Sequence, residues 1–301
     1  MPELPEVETI ARGLASRVNG DVIESVWLGS KPEPLKSSAA EIATTLESRR
    51  ITGVRRVGKH IVVDLGSGSL KRSSAKARKK SLGSAARKKP AGRAVQSTQL
   101  DSKSTAQWIV HLGMTGRLLV CEPDAEVAKH THAIVKLKSG RELRFVDPRR
   151  FGRLSVAHNF EAGGSEPLEV QLDQFVALFR GRKTPIKSAL LNQKLLSGVG
   201  NIYADESLFR AGIRPRRRAS SLTSEDLRRL YLALKEVLQE AISAGGSSVS
   251  DYVGADGEEG FFQLQHRVYG REGEPCLVCK TPIKRIVIAG RSSHYCPKCQ
   301  K

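Results

Sequence analysis

Four of the five cysteines fall into two Cys-x2-Cys pairs, Cys276/Cys279 and Cys296/Cys299, with sixteen residues between the pairs. Each pair can present two thiolates from one tight turn, and two such turns close a tetrahedron, the pattern of a zinc site. Four protein ligands leave no open position, so the ion would be structural rather than catalytic. Disulfides are the competing reading, disfavoured by the lack of an export signal. His294 is close in sequence, but the paired spacing argues against it as a ligand, and Cys121 stands alone as an ordinary cysteine. A second motif, Leu195-Leu196-Ser197-Gly198-Val199-Gly200-Asn201, lies between two helical patterns. Its glycines permit a tight turn. Free N–H groups of a helix beginning near Asn201 would form a phosphate site. An ordinary interhelical turn explains the same residues. Lys187 and the basic run Arg214–Arg218 supply positive charge nearby.

These residues need a frame. Val7, Ile10, Ala11, Leu14 and Val18 recur at helical spacing and predict a helix over 2–18, with prolines only at its start. Strand-like runs follow at Ile51–Leu65, Trp108–Cys121, Ile134–Leu137, Leu143–Val146 and Leu154–Val156, with a hairpin turn at Lys138-Ser139-Gly140. One early helix plus antiparallel strands predicts an α+β domain, a sandwich over 1–157. Residues 158–170, with Gly163-Gly164 and Pro167, read as a linker. Helices then dominate. Thr223-x-x-Asp226 resembles a capping box ahead of the stripe Leu227, Leu230, Leu234, Val237, Leu238 and Ala241, and Gly245-Gly246 ends that helix. Between the cysteine pairs, Ile286–Ile288 and Arg291–Tyr295 predict a β-hairpin with Arg291 at its tip.

The chain has 301 residues and a net charge of +19, which favours a polyanionic partner, although a basic surface without cargo has the same composition. Residues 66–107 hold eleven basic residues against one acid, Asp101, in a background of Ser, Ala and Gly. This insert has too little apolar surface to fold alone, so it is expected to be a disordered loop adding non-specific DNA attraction, or a neutral insertion. The opening MPELPEVET has no apolar run and is not a signal peptide, and no stretch of about 18 apolar residues occurs to span a membrane. A cytoplasmic, nucleoid-associated monomer is expected.

Read together, the motifs resemble the bacterial formamidopyrimidine-DNA glycosylase family. They are MPELPEVET, RRVGKH at 55–60, HLGMTGRL at 111–118, DPRRFG at 147–152, TPIKSALLNQKLLSGVGNIYADESLF at 184–209, VYGREGEPC at 268–276 and AGRSSHYCPKCQ at 289–300. They span nearly the whole chain, and the 66–107 insert is the main region without a counterpart. The resemblance implies an N-terminal helix on an antiparallel β-sandwich, then a helix–two-turn–helix domain at 171–260 and a zinc-finger β-hairpin at 261–301. Damaged double-stranded DNA would lie in the cleft between them, with one structural zinc and no organic cofactor.

The resemblance also implies the chemistry. Removal of Met1 makes Pro2 a secondary amine whose neutral form can attack C1′ of the damaged nucleotide. Displacement of the base leaves an iminium cation that acidifies the C2′ proton, and β- then δ-elimination follow. Glu3 would assist proton transfer; read from the residues alone, it is a helix N-terminal acid complementing the dipole. Lys59 would contact phosphate and assist the chemistry. Glu6 would help bind the extruded base, with a purely structural role as the alternative. Met114, Arg149 and Phe151 match the void-filling trio, Arg149 reading the orphaned cytosine. His111, Lys187, Asn201, Tyr269 and Arg291 would clamp phosphates. Gly246–Phe262 resembles the lid over the flipped base. The expected activity is excision of 8-oxoguanine and formamidopyrimidines. The alternatives are an endonuclease VIII-like enzyme for oxidised pyrimidines and a catalytically silent damage-binding protein.

Overall fold

The computed structural model describes residues 1–67, 106–247 and 260–301. The expectations for the basic insert and the base lid therefore lie, over 68–105 and 248–259, outside the described residues. Helix α1 (Leu4–Val18) begins two residues later than its periodicity suggested, so Pro2 precedes the helix. The Glu3 N–H, at the helix N-cap, donates to Glu6 Oε2 at 2.8 Å. The stripe Val7, Ile10, Leu14 and Val18 is buried against the strands, while Leu4 joins the core of the helical region. One helix thus bridges two cores.

Eight strands form two antiparallel four-stranded sheets. The first contains β1 (Ile23–Leu28), β5 (Arg117–Cys121), β6 (Thr131–Leu137) and β7 (Glu142–Val146), in the order β1-β6-β7-β5. The second contains β2 (Arg50–Val57), β3 (His60–Gly66), β4 (Ala106–His111) and β8 (Arg153–His158), in the order β2-β3-β4-β8. Their inward residues, including Ile61, Val63, Trp108, Val110, Val135 and Phe145, make one apolar core.

The run Trp108–Cys121 is not one strand. β4 and β5 belong to different sheets and are separated by a turn in which Gly113 has φ of +65°. A Cβ at Gly113 would lie 2.5 Å from the Gly152 nitrogen, so the two backbones meet where only glycine fits. Ile51–Leu65 likewise resolves into the β2–β3 hairpin, whose turn is Gly58-Lys59. The insert's ends, Gly66 and Ala106-Gln107, belong to β3 and β4. Strand β1 and helix α2 (Ala39–Leu46) were not anticipated. The signal for α2 was present, because Ser38 Oγ accepts the Glu41 N–H at 3.1 Å, an S-x-x-E cap.

Beyond β8 come α3 (Leu172–Phe179), α4 (Ile186–Leu190), α5 (Asn201–Arg210) and α6 (Ser224–Ser243). The Thr223/Asp226 capping box is present in both directions, each bond 3.1 Å, and the whole anticipated α6 stripe is buried. Two turns join α4 to α5, and β9 (Lys284–Ile288) pairs with β10 (Arg291–Tyr295) beside the cysteines. The architecture is therefore α+β: a helix on an antiparallel sandwich, a helix–two-turn–helix region, and a four-cysteine finger. No helix among the described residues is long and apolar enough to cross a membrane.

Candidate active site and nucleic-acid interface

A cleft of about 860 Å³ opens between the sandwich and the helical region. Pro2, Glu3, Lys59, Met114, Asn201 and Arg291 all line it, although they come from well-separated stretches of the chain. The close approach depends on the Ser197–Asn201 turn. Its Gly198 carbonyl accepts the Leu4 N–H at 3.1 Å, and Glu3 Oε1 accepts the Ile202 N–H at 3.2 Å, at the N-terminus of α5. A Cβ on Gly200 would fall 2.0 Å from the Glu3 carboxyl carbon. Gly58, at φ +59°, is equally constrained, with Ser197 Oγ 2.0 Å from where its Cβ would be. The glycine-rich turn is thus the seat of the Glu3 carboxylate.

Burial sets the protonation states here. The Glu3 carboxyl is pushed up to about 7 by burial, with Lys59 and the α5 N–H groups pulling the other way. Its Oε2 is buried with no partner among the described residues. Burial lowers Lys59 below the usual ammonium range, opposed by Glu3. The α-amine of Met1, ahead of Pro2, is lowered too, again by burial, with Glu3 and Glu6 opposing. An acid that stays protonated near neutrality thus lies in the same cleft as Pro2 and Lys59.

Several residues occupy other places than expected. Lys187 has no exposed surface: its Nζ pairs with Asp205 Oδ1 at 2.6 Å and donates to the Ser292 carbonyl at 2.6 Å. With its charge consumed inside the protein it is not a phosphate clamp. Instead it fastens the finger hairpin to α5, because Asp205 also accepts from Ser293 Oγ at 3.2 Å and the His294 N–H at 2.8 Å. His111 lies outside the cleft lining, against His60 with ring centroids 4.9 Å apart. Burial and the neighbouring His60 bring its pKa down to about 4, so it carries no charge to offer phosphate at neutral pH. Its Nδ1 accepts the Gly113 N–H at 3.1 Å. Glu6 lines the cleft with its carboxylate engaged by the Glu3 N–H, the Tyr203 hydroxyl and the Ser247 N–H. These bonds favour the structural alternative. Glu6 ties α1 to α5 and to the foot of the 246–262 segment, whose Gly246 carbonyl accepts the Phe262 N–H at 2.9 Å.

Asn201, Tyr269 and Arg291 do share one wall. Asn201 Nδ2 donates to Ser292 Oγ at 3.3 Å, and the Tyr269 hydroxyl hydrogen-bonds Asn201. Arg291 is exposed and opens β10, immediately after the Ala289-Gly290 turn. Met114 and Phe151 are exposed on adjoining loops, and the Arg149 guanidinium stacks 4.8 Å from the Phe151 ring centroid.

Three positioning groups escaped the sequence reading. Glu206 accepts the N–H groups of Arg267, Val268 and Tyr269 at 2.8–3.1 Å and so orients Tyr269. Asp205 does the same for β10. Arg56 is clasped by Glu8 at 2.9 Å and by both oxygens of Glu166 at 2.8 Å, and it donates to the Gly58 carbonyl beside Lys59. For Asp205 and Glu206 the available sign was a pair of adjacent acids flanked by Ile202, Tyr203, Leu208 and Phe209 in one short helix.

The four Cys Sγ atoms lie within 4.8 Å of one another, with Cys279–Cys296 at 3.4 Å and Cys276–Cys299 at 3.9 Å. A tetrahedron of thiolates about 2.3 Å from a zinc ion has edges of about 3.8 Å, so the residues fit a metal. These separations are far beyond a disulfide bond of about 2.05 Å. His294 is turned toward Asp205, its Nδ1 3.5 Å from Oδ2.

Comparison with known proteins gives three consecutive family matches. Residues 1–154 match the formamidopyrimidine-DNA glycosylase N-terminal domain, 164–253 its H2TH domain, and 273–301 the zinc finger found in FPG and IleRS. A formamidopyrimidine-DNA glycosylase of Solibacter usitatus is 42% identical, with the full length of both chains covered. The crystal structure of MutM (Fpg) from Thermus thermophilus aligns at a TM-score of 0.78 and 39% identity, covering 99% of this chain and 98% of that one. A point mutant of the Lactococcus lactis Fpg, solved in complex with a Fapy-dG-containing DNA, aligns at 0.81 and 29% identity over all of both chains.

Proposed function

The chain belongs to the formamidopyrimidine-DNA glycosylase family, and on that premise we propose how its own residues carry out the excision of oxidised purines from damaged duplex DNA. It is a base-excision repair glycosylase and AP lyase. The observation that carries the residue assignment is the meeting of Pro2, Glu3 and Lys59 in one cleft, with Glu3 protonated up to about pH 7.

Loss of Met1 leaves the terminal amine on Pro2. Its neutral nitrogen attacks C1′ of the extruded nucleotide, the C1′–base bond breaks, and the base departs with the bonding pair. The proton on the attached proline nitrogen passes to the departed base. Glu3 protonates the ring oxygen so that the C1′–oxygen bond breaks and the sugar opens, and the nitrogen lone pair completes the C1′=N iminium. Removal of a C2′ proton then expels the 3′ phosphate, and a second elimination expels the 5′ phosphate. Lys59, Asn201, Tyr269 and Arg291 hold the phosphates that flank the lesion. Arg149 reads the partner base, and Met114 and Phe151 fill the gap. The site works on DNA in the cytoplasm, at the nucleoid.

The metal of the finger is zinc, because an all-thiolate tetrahedral set suits that ion and leaves it closed to substrate. Its work is to hold the hairpin that carries Arg291. Replacing Cys296 by Ala, or stripping the metal with a chelator, is expected to weaken duplex binding by about 10- to 100-fold, the value of a lost charge-assisted contact. Fluorescence anisotropy reads that loss, and elemental analysis reads one zinc per chain in the parent protein. Unchanged affinity in metal-free protein would overturn the role of the finger.

The function is tested by borohydride trapping. Purified protein is incubated with duplexes carrying 8-oxoguanine opposite cytosine, or an oxidised pyrimidine. A covalent complex is expected mainly on the purine duplex. Trapping mainly on the pyrimidine duplex overturns the substrate assignment. No trapping on either, with Met1 absent and metal bound, overturns the lyase assignment.

A further inference from the structure

The loops that carry Met114 and Phe151 converge on one buried carboxylate to which no role has been given above. Asp147 follows β7 and has no exposed surface. Its Oδ1 accepts from Thr115 Oγ1 at 2.6 Å and from the Arg149 N–H at 3.2 Å, and its Oδ2 accepts the Gly152 N–H at 2.7 Å. Its backbone is held as well: its N–H donates to the His130 carbonyl at 3.0 Å, and its carbonyl lies 2.9 Å from His132 Nε2. Among the described residues it takes no ion pair. Thr115 belongs to the turn that presents Met114, while Arg149 and Gly152 bracket the loop that presents Phe151. Backbone also meets backbone where Gly113 abuts Gly152. Arg150, between Arg149 and Phe151, sits at φ +57°, a conformation that a non-glycine side chain adopts only when its surroundings impose it.

A carboxylate desolvated without a cation is a costly way to hold a turn unless every acceptor is met by a well-placed donor. Here the donors come from two different loops, so the carboxylate fixes one against the other. The consequence is on the surface: Met114, 41% exposed, and Phe151, 52% exposed, stand out with Arg149 stacked on the phenyl ring. We propose that Asp147, with Thr115, is the positioning residue that locks these two loops into a single wedge, so that the three side chains enter the duplex as a unit. The proposal rests on the reading of the trio given above.

The test is Asp147→Asn, which keeps the shape but turns an amide donor toward the Thr115 hydroxyl or the Gly152 N–H. Single-turnover excision of 8-oxoguanine opposite cytosine is expected to fall about 100-fold, as for a misplaced positioning group. The preference for cytosine over adenine as the opposite base should narrow about tenfold, the scale of one lost hydrogen bond in discrimination. Cleavage of a preformed abasic site in single-stranded DNA, which has no partner base to displace, should change less than about threefold. Thr115→Val removes one of the three bonds and should move the same ratios less far, which covers a failure of the first variant to fold. A 2-aminopurine placed beside an uncleavable abasic analogue reports unstacking without any chemistry. The parent protein should raise its fluorescence, and both variants should raise it less. Equal losses on single-stranded and duplex substrates, or an unchanged opposite-base ratio and unstacking signal, would overturn the proposal. A parent protein that unstacks the probe but never traps would instead overturn the glycosylase reading and leave the wedge standing.

Discussion

Inserting one glutamate between Met1 and Pro2, which prevents removal of the methionine, is expected to abolish borohydride trapping, with a loss of about 10³-fold or more. The geometry allows no compensation. Pro2 is buried, the Leu4 N–H is held by the Gly198 carbonyl, and Glu3 fills the space over Gly200, so the amine cannot be moved outward and remain aimed. A second amine is the serious competitor. Lys59 lines the same cleft and is also held below the ordinary ammonium range by burial. Intact-mass analysis confirms whether Met1 is retained, and peptide mapping of any residual adduct identifies its nitrogen. An adduct on Lys59 of undiminished yield would transfer the nucleophile to that residue.

Glu3→Gln is expected to lower excision of the intact lesion by about 10²- to 10⁴-fold at pH 7, the span of a lost general acid. It should also remove one limb of the pH profile. In the parent protein the rate falls as pH rises through about 7, because Glu3 gives up its proton there. The opposite limb belongs to the Pro2 amine, which must be neutral to attack. The same shift affects stability. The folded protein holds the Glu3 proton to about pH 7, while the unfolded chain releases it near 4.5. The stabilisation this represents is therefore complete below 4.5, declines as pH rises, and is gone above 7. Its full size is on the order of 3 kcal/mol. Gln cannot ionise, so the variant should lose less stability than the parent between pH 5 and pH 8. Calorimetry at both values checks this, and parallel losses in the two proteins would rule out Glu3 as the buried titrating group.

Residues whose partners are near in sequence were legible from the start. The Cys-x2-Cys pairs bring their own ligands together within a turn, and the α6 stripe and the Thr223/Asp226 box depend on a repeat of three or four residues. Hydrogen-bonding distances of a few ångströms are fixed by such spacing alone. The family motifs in turn located Pro2, Glu3, Lys59, Asn201 and Arg291, all of which line the cleft.

Other residues could be assigned only by what the fold brings to them from far along the chain. Lys187 has the sequence character of a phosphate-binding lysine, yet Asp205 and the Ser292 carbonyl take up its charge across 18 and 105 positions. His111 is neutral because the sheet stacks it on His60 in a dry environment, and Glu6 is occupied because α5 and Ser247 deliver donors to it. Asp147 is an ordinary acid in a short motif until two loops close over it. Residue order alone was enough for the available residue types, the local elements, the four-cysteine cluster that can hold a metal, and the family. Which charges face the cleft and which are consumed inside the protein is set by the folded chain, because desolvation and pairing depend on distances that the order of residues does not encode.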